Sequence, residues 1–493
     1  MAKYVKTEQG YIDMPSFAPA PFKPAGKSYL TFSSPNSFTL AVNDSTKHWN
    51  GTLEYFSADK VWAVWDGTTI LSAYNNDGEY VLYLRGTGNT VITSGNFGGR
   101  WVPSGTNIKC IGNIDNLLDY TTVESGNHPT MASNCYQYMF QDCTSLISAP
   151  ELPATTLANN CYNSMFFGCT SLKKAPELPA TTLAICCYGN MFTGCASLTQ
   201  APSLPATTLA NNCYQYMFQG CTSLTQAPSL PATTLASNCY QYMFTSCTSL
   251  TQAPSLPATT LADLCYCRMF YSCTSLKKAP ELPATTLANK CYQYMFQGCT
   301  SLTQAPSLPA TTLASNCYQY MFQDCTSLIS APELPATTLA DLCYYGMFQG
   351  CTIKLSTTQT GKYNQAYRIP TTGDGITARE ALNNMFPKIL NNNGSTLVMT
   401  PKINTTYYIS TDNMIVRDTE VATLNGYVGS MIDVAIGEYA DTAEYIIPSS
   451  TEGSTKKLKI TVDDSGALTA TEITQQKSNI KAPSFGVVLF LKL

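Results

Sequence analysis

The stretch CYQYMFQGCTSLTQAPSLPATTLASN, residues 213–238, recurs with little change through the middle of the chain. Eight complete 26-residue units run from Cys135 to Leu342, and a ninth begins at Cys343 and loses the pattern after Cys351. One unit cannot bury its own leucine, methionine, phenylalanine and cysteine side chains, whereas stacked units bury them against one another. The period therefore predicts a solenoid, an array in which each unit contacts only its neighbours.

The first half of each unit has the pattern of a short amphipathic helix. Between Leu157 and Cys169 the apolar residues recur at i, i+4 and i+8, which favours one buried helical stripe. Thr155 or Thr156 is expected to cap the N-terminus of this helix. Gly168 is expected at its C-terminal end with a left-handed backbone, as is the glycine, serine or aspartate at the same position of the other units.

The second half of each unit, SLTQAPSLP in residues 223–231, is predicted to be extended. Leu224, Ala227 and Leu230 are expected to point into the core. Pro228 and Pro231 cannot donate a backbone hydrogen bond, so any strand here must be short.

Eighteen of the 21 cysteines fall into two columns with the same period. The first column is Cys135, Cys161, Cys187, Cys213, Cys239, Cys265, Cys291, Cys317 and Cys343. The second is Cys143, Cys169, Cys195, Cys221, Cys247, Cys273, Cys299, Cys325 and Cys351. Equivalent side chains in a stack are parallel, which is poor geometry for disulfides, and metal sites need closely spaced Cys and His ligands. We therefore expect buried thiols that pack as small hydrophobic groups. Cys110, Cys186 and Cys267 lie outside the columns, and the last two are expected to be exposed.

The composition excludes several classes of protein. The net charge is −4 over 493 residues and charged residues make up 12% of them, so no nucleic acid partner is expected. The sequence has no run of about 18 apolar residues, so no membrane insertion is predicted. Met1–Lys27 lacks the apolar core of a secretory signal.

Candidate catalytic and metal-binding residues are sparse. The chain has two histidines, His48 and His128, and neither accompanies a nucleophile motif such as GxSxG. The sequence contains no phosphate-binding loop, HExxH motif or complete EF-hand loop. We therefore predict no enzymatic activity, no catalytic residue, no bound metal and no cofactor.

The array is flanked by segments that lack the period. Residues 1–27 are predicted as an extended N-terminal segment, residues 28–127 as a β-rich capping domain and residues 128–354 as the solenoid. Residues 355–410 are predicted as a C-terminal cap of a helix and strands. Residues 411–493 are predicted as a β-rich domain for docking or oligomerisation.

Alternating apolar residues and turn dipeptides locate elements in these flanks. The predicted strands are Tyr29–Phe32, Ser37–Val42, Thr52–Phe56, Trp62–Trp65, Tyr80–Arg85, Thr90–Thr93, Thr396–Met399 and Tyr407–Ile409. A hairpin is predicted from Lys457–Val462 and Ala467–Ile473, and Asn107–Tyr120 is a candidate degenerate first unit. Arg379–Leu390 has the pattern of an amphipathic helix. The apolar strand Phe485–Leu493 is expected to pair in a homo-oligomer or with an assembly partner.

Variation between the units marks the candidate ligand-binding residues. Core letters hardly change, whereas the two positions after the second-half leucine are Ile-Ser, Lys-Lys or Thr-Gln, and a later position is Glu or Ser. The candidates in this row are Lys173, Lys174, Glu177, Gln200, Gln226, Gln252, Lys277, Lys278, Glu281 and Gln304. A second column, on the predicted helical half, is Tyr138, Tyr216, Tyr242, Tyr294 and Tyr320, of which Tyr216, Tyr242 and Tyr294 are taken as candidates. Aromatic and amide rows suit contact with carbohydrate or protein, and the alternative is a solvated face with tolerated drift.

The motif Phe-x-Gly-Cys-Thr-Ser-Leu-Thr, followed by a proline-punctuated strand, resembles the BspA-like class of leucine-rich repeats from bacterial surface proteins. The resemblance covers about Cys135–Thr352, although this unit is longer than the roughly 23 residues usual in that class. It implies an α/β leucine-rich-repeat solenoid of about nine units between small β-rich domains, with a role in adhesion or recognition. Similar arrays occur in fibre and host-attachment proteins of phages that infect gut Bacteroidetes.

From the residues and the resemblance together we expect a non-enzymatic phage virion structural protein, a tail or head fibre or spike. Its expected partners are other virion proteins and a host cell-surface glycan or protein, and its expected location is the virion. The missing export signal favours this expectation over a bacterial cell-surface adhesin. A structural decoration protein without a ligand is the third alternative.

Overall fold

The computed structural model describes residues 29–95, 97–328, 332, 334–336, 338–351, 378–381 and 383–385 in full, together with Pro24 and the backbone of the strands named below. The chain divides into two compact units, Met1–Arg417 and Asp418–Leu493. Functional interest lies in the first, which contains an N-terminal β region (residues 29–127) and the array (residues 133–351).

The N-terminal β region is built on two sheets. Its strands are β3 (Leu30–Ser34), β4 (Thr39–Val42), β5 (Thr52–Phe56), β6 (Trp62–Trp65), β7 (Leu71–Ser72), β8 (Tyr74–Asn76), β9 (Glu79–Thr87), β10 (Trp101–Ser104) and β11 (Ile108–Ile111); β1 (Tyr4–Thr7) and β2 (Gly10–Asp13) form a separate pair before them. One sheet has the order β11-β3-β9-β5-β6, with β8 on β9 and with β12 (Leu146–Ser148, in the first repeat) next to β11 at its edge. The other sheet has the order β10-β4-β7. A helix, α1 (Asn116–Glu124), follows β11. The apolar faces of these strands enclose buried Trp49, Trp65 and Trp101.

Strand predictions in this region are largely confirmed. Thr52–Phe56 and Trp62–Trp65 have the predicted bounds, and β9 extends the predicted Tyr80–Arg85 to Glu79–Thr87. The predicted strand Thr90–Thr93 is wrong, because the N–H groups of Ile92 and Thr93 donate instead to the carbonyl of Cys135 in the first repeat (2.9 and 3.1 Å).

The β region covers the first face of the array through backbone bonds. Strand β11 pairs in parallel with β12 (Leu146–Ser148), the extended half of the first repeat, and the Trp101 N–H donates to the Met139 carbonyl (2.7 Å). A further parallel bridge joins Asn113 to Glu151. Residues 108–113 thus take the place that a preceding repeat would occupy.

The first half of each repeat is not the predicted helix. In the unit that begins at Cys161, alternate N–H groups donate three residues back, as from Met165 to the Tyr162 carbonyl (3.2 Å). The intervening N–H groups donate to the next repeat, as from Phe166 to the Met191 carbonyl (3.0 Å). An α-helix would instead require bonds four residues back within the segment. We call residues 158–169 and their equivalents the turn ribbon.

Left-handed residues create the turn ribbon. In the unit of Cys161, φ is positive at Asn160 (56°), Ser164 (55°) and Gly168 (71°), which are the third residues of turns closed by Cys161, Met165 and Cys169. A third turn residue with positive φ is the hallmark of the type II turn. The expectation of a left-handed Gly168 is therefore confirmed, but it ends a turn and not a helix.

The apolar pattern misled because turns of this kind repeat every four residues. Buried side chains at i, i+4 and i+8 fit a four-residue period as well as the 3.6-residue period of a helix over so short a segment. The signal that separates the two is asparagine or glycine spaced at multiples of four, since these residues favour left-handed backbone.

The second half of each repeat is extended, as predicted, with Leu224 and Leu230 buried and Ala227 half-buried. In the described repeats after β12 it forms single parallel bridges and no longer strand, for example between Gln226 and Gln252. The prolines explain this shortness, because they supply no N–H to a ladder.

Side chains in the array core stack on their own copies in the next repeat. Tyr214 lies 5.8 Å from Tyr240 and Phe218 lies 5.6 Å from Phe244, centroid to centroid, with ring planes within 6° of parallel. The same relation holds from Tyr136 to Tyr344 and from Phe140 to Phe348. One continuous hydrophobic core runs from the β region through the array.

A tenth ribbon segment follows the ninth repeat. The predicted helix Arg379–Leu390 is wrong, because the described residues 378–385 form turns and φ is positive at Glu380 and Asn384. The Tyr344 N–H donates to the Ala381 carbonyl (3.0 Å) and the Phe348 N–H to the Met385 carbonyl (2.9 Å). Ala381 and Met385 therefore accept the bonds that the first column cysteine and the methionine accept in the repeats.

The remaining strands are short. They are β13 (Ala366–Arg368), β14 (Ile389–Leu390), β15 (Thr396–Leu397), β16 (Thr406–Ile409), β17 (Ile415–Arg417), β18 (Tyr445–Pro448), β19 (Lys457–Val462) and β20 (Leu468–Ile473). The predicted hairpin is confirmed as the antiparallel pair β19–β20, onto which β18 also pairs. The predicted strand Phe485–Leu493 lies outside the described residues.

Candidate binding surface

The first candidate row is fully exposed. Lys173, Lys174, Glu177, Gln200, Gln226, Gln252, Lys277, Lys278, Glu281 and Gln304 are all exposed. Parallel bridges join Lys174 to Gln200, and Gln252 to Lys278 and Lys278 to Gln304 in turn. The structure therefore brings these positions into one row along the extended halves, where the residue type changes from unit to unit without disturbing the core.

The tyrosine column lies on the turn ribbon. Tyr216 and Tyr242 stack with centroids 4.5 Å apart, and Tyr294 and Tyr320 stack at 5.0 Å. All four are half-buried, so part of each ring faces solvent. We call residues 216, 242, 268, 294 and 320 the tyrosine row, after the four tyrosines that it contains.

Amide side chains run beside the tyrosine row. Gln215 donates to Gln241 (2.5 Å), and Gln297 donates to Gln323 (2.7 Å), each across one repeat. Because the stacked rings turn their faces to one another, the row presents ring edges beside amides that are already bonded in register. This arrangement fixes the position of hydrogen-bonding groups along the array.

Sequence reasoning missed Arg268, which occupies the tyrosine position in its repeat. Its guanidinium carbon lies 4.4 Å from the ring centroid of Tyr294 and 5.3 Å from that of Tyr242. Its Nη1 donates to the Tyr242 hydroxyl (2.7 Å). The available signal was that Arg268 replaces tyrosine in a column that is aromatic on both sides, and that a stack would bring the three together.

The second cysteine column has a structural role that packing alone did not predict. The Cys247 Sγ donates to the Phe218 carbonyl (3.1 Å), 29 residues earlier, and Cys221 donates in the same way to Phe192 (3.2 Å). Equivalent bonds recur from Cys169 to Cys351. Each thiol therefore joins consecutive repeats.

Burial holds the column thiols in the protonated form. It raises the pKa of the Cys161 thiol and of the Cys265 thiol to about 12. All 21 cysteines are free thiols, and a protonated buried thiol is a poor nucleophile. Cys186 is half-exposed, whereas the expectation of an exposed Cys267 is wrong: its side chain is buried, with Sγ 3.7 Å from the Gln293 Oε1.

The histidines do not form a nucleophile relay. Asp44 and the Thr46 hydroxyl both contact the same ring nitrogen of His48, Nε2, at 3.0 and 2.8 Å. A relay needs the carboxylate on the opposite ring nitrogen from the nucleophile. His128 Nδ1 lies 3.2 Å from the Asp115 carboxylate, which is a local structural contact. Burial raises the pKa of Asp115.

The residues that the structure describes hold no group of three or more His, Cys, Asp or Glu side chains placed to bind a metal ion. Within the same residues, helices long and apolar enough to cross a membrane are lacking.

The turn ribbon and extended half are similar to a known repeat family. Residues 161–278 and 255–364 match the BspA type leucine rich repeat region, in six copies. The match covers less than half of the chain and supports a stacked, solenoid-like repeat fold of the BspA-like leucine-rich kind, with the adhesion or surface role general to such repeats. No match was found among curated proteins or among solved structures.

Proposed function

We propose that this chain is a non-enzymatic recognition protein whose array contacts a ligand on a cell surface. One observation carries the proposal: between repeats the buried positions are nearly constant, whereas the exposed row from Lys173 to Gln304 and the tyrosine row vary. Stacking requires only the buried positions to repeat. The outward positions are therefore free to be selected for binding. The similarity to BspA-type repeats supports the same role.

We further propose that the protein is carried on a phage particle, as a homo-oligomeric fibre or spike that contacts other virion proteins and the host surface. The hydrogen bonds from the second cysteine column to backbone carbonyls, which we call the thiol ladder, support this carrier, because their S–H donors are lost on oxidation. A virion protein folds in the reducing cytoplasm, where these thiols stay reduced while the array folds. The alternative carrier, the surface of a bacterium, is favoured by the similarity to BspA-type repeats.

Adhesion of the purified full chain to a panel of intact bacterial and animal cells tests the function. We expect saturable binding to at least one cell type. A matched variant, Lys173→Thr, Lys174→Gln, Lys277→Thr and Lys278→Gln, copies the letters of neighbouring repeats and keeps the fold. Weakened adhesion of this variant would assign contact to the exposed row. Absence of saturable binding to every cell type would refute recognition and leave a structural decoration protein.

The carrier is tested by fractionation. Recovery of the chain in purified phage particles at a fixed copy number would support the virion. Recovery only in bacterial outer-membrane fractions would refute the virion and support the adhesin.

A further inference from the structure

The four tyrosines of the tyrosine row adopt a left-handed backbone conformation that disfavours bulky residues. The values of φ are 58° at Tyr216, 57° at Tyr242, 56° at Tyr294 and 54° at Tyr320. A bulky residue in the left-handed region is a genuine outlier, because its Cβ lies too close to the following carbonyl oxygen. The fold does not demand tyrosine at these places.

The other left-handed positions of the turn ribbon favour small or amide side chains without requiring them. The position before the first column cysteine is asparagine in five of the nine repeats, for example Asn212 (φ 58°), and is Cys186, Leu264, Lys290 or Leu342 in the other four. The position before the second column cysteine is often glycine, for example Gly220 (φ 73°). At the tyrosine position itself, Ser164, Asn190 and Gly346 adopt the same backbone in other repeats. Small residues therefore fit there, and strained residues that persist tend to mark functional sites.

Arg268 adds an uncompensated charge to the row. Among the described residues, no carboxylate lies within ion-pair distance of its guanidinium. Its Nε is buried and has no hydrogen-bond partner there. Three rings surround it, since Tyr271 lies 5.8 Å away in addition to Tyr242 and Tyr294. A guanidinium held in this way favours a planar anion such as a carboxylate.

We propose that the tyrosine row binds an acidic polysaccharide, with sugar hydroxyls on the tyrosine edges and the neighbouring amides and a carboxylate on Arg268. This inference rests on the proposed function. Stacking covers the ring faces of Tyr216 with Tyr242 and of Tyr294 with Tyr320, so each ring offers its polar edge to a ligand, and the neighbouring glutamines supply amides for sugar hydroxyls. A surface that repeats once per 26 residues suits a polymer that itself repeats. Nucleic acid would need many cations, and the row has one.

An array of glycans that carry uronic or sialic acid tests the proposal, with the methyl ester of each as the neutral partner. We expect the full-length protein to bind acidic glycans and to lose about tenfold in affinity on the methyl esters, which corresponds to about 1.4 kcal/mol. Arg268→Gln should show the same loss on the acids and no change on the esters. Lys109→Gln, an exposed lysine on β11 of the β region, is the charge-matched control and should bind as the parent does.

Tyr242→Asn separates binding from folding, because Asn190 occupies the same position naturally. It relieves left-handed strain and loses ring stacking, so its Tm should stay within a few degrees of that of the parent. Its glycan affinity should fall at least tenfold.

Four results would overturn the proposal. They are equal binding of acids and methyl esters, acidic-glycan binding that is unchanged in Arg268→Gln and Tyr242→Asn, no acidic glycan bound, and binding of single-stranded DNA that depends on the tyrosine row. The last result would favour nucleic acid as the ligand. Cell adhesion that persists in both variants would refute only this ligand, whereas loss of all adhesion in the parent would refute the proposed function.

Discussion

The β region and the array bury similar side chains in opposite ways. In the β region each contact is unique: the Trp49 ring is tilted against the Trp65 ring with centroids 5.1 Å apart, and Trp65 meets Trp101 edge-on at 5.3 Å. In the array each side chain meets its own copy, as Phe218 meets Phe244. A contact between two different residues restricts the residue type at both positions separately. A contact between equivalent residues of neighbouring repeats restricts one residue type, because that side chain must pack against another copy of the same side chain.

This difference explains where each region tolerates change. Strand partners in the β region are distant in sequence, such as Leu30 with Leu84, so a shift in one strand moves its residues to the wrong face. The array is defined by a translation of 26 residues, and any change that preserves the translation preserves its hydrogen bonds. The array can therefore gain, lose or vary units while its core persists.

The largest expected effect comes from deletions that keep or break the translation. Removal of residues 213–238 joins Asn212 to Cys239 and restores the same letters, so the array should fold and lose only a few degrees in Tm. Removal of residues 213–225 joins a turn ribbon to the wrong half of a repeat and should abolish cooperative folding of the array. Far-UV circular dichroism during thermal unfolding measures both, and equal tolerance of the two deletions would contradict a translational hydrogen-bond register.

High pH should unfold the array before the β region. Column thiols have folded pKa values raised by burial, to about 12 at Cys213 and Cys273, against about 8.5 when unfolded. Because the folded values are raised, their stabilisation is complete below about pH 8.5 and is lost as pH rises towards 12, by about 1.4 kcal/mol per pH unit for each thiol that ionises only on unfolding.

The two regions can be followed separately in that titration. All four tryptophans, Trp49, Trp62, Trp65 and Trp101, lie in the β region, so their fluorescence reports that region. We expect tyrosinate absorbance and circular dichroism to change before tryptophan fluorescence does. Simultaneous change of all three signals, or no change up to pH 12, would count against thiol burial as the source.

Two glycine-to-alanine substitutions, one in each region, compare how the β region and the array tolerate one added Cβ. A Cβ at Gly86 in β9 would overlap the Leu117 carbonyl oxygen in α1, so Gly86→Ala should destabilise by about 3 kcal/mol or more. At Gly220 the nearest atom to an added Cβ lies 3.7 Å away, in Gly194, and only the left-handed backbone opposes it. Gly220→Ala should cost about 1 kcal/mol. Urea unfolding checks both values, and a larger loss at Gly220 would show that the array is the less tolerant region.

A smaller effect than that of Gly86→Ala is expected from the second cysteine column, whose thiols bond to backbone carbonyls of the preceding repeat from Cys169 to Cys351. Cys247→Ala removes the S–H bond to the Phe218 carbonyl and leaves a small cavity, so we expect a loss of about 1–2 kcal/mol. Cys186→Ala, at a half-exposed thiol outside the columns, is the control and should change stability by less than about 0.5 kcal/mol. Equal effects of the two variants in urea unfolding would mean that the columns only fill space.

Sequence reasoning succeeded where a pattern has one structural meaning. The 26-residue period predicted the stack, and Leu224 and Leu230 were placed in the core as found. Reasoning failed where one pattern has two meanings. Apolar residues at i, i+4 and i+8 fit a helix and a chain of four-residue turns alike, and the same ambiguity produced the wrong helix at Arg379–Leu390.

The candidate site likewise contains two features that the sequence predicted and one that it did not. The exposed row and the tyrosine column followed from variation between units, and each forms a row along the array, one on the extended halves and one on the turn ribbon. Arg268 did not follow, because its meaning depends on the rings of Tyr242 and Tyr294 on either side of it. Neighbours 26 residues apart become contacts only when the chain has been folded into register.

The sequence by itself determined that the chain repeats, which side chains form the core and where left-handed backbone is permitted, because period, hydrophobicity and the preferences of glycine and asparagine are local properties. Only the tertiary structure decided that every second N–H group of the turn ribbon donates to the next repeat, that thiols bond to carbonyls 29 residues away, and that one arginine lies within a row of tyrosines. These features depend on the distance between repeats, and that distance exists only after the units have stacked.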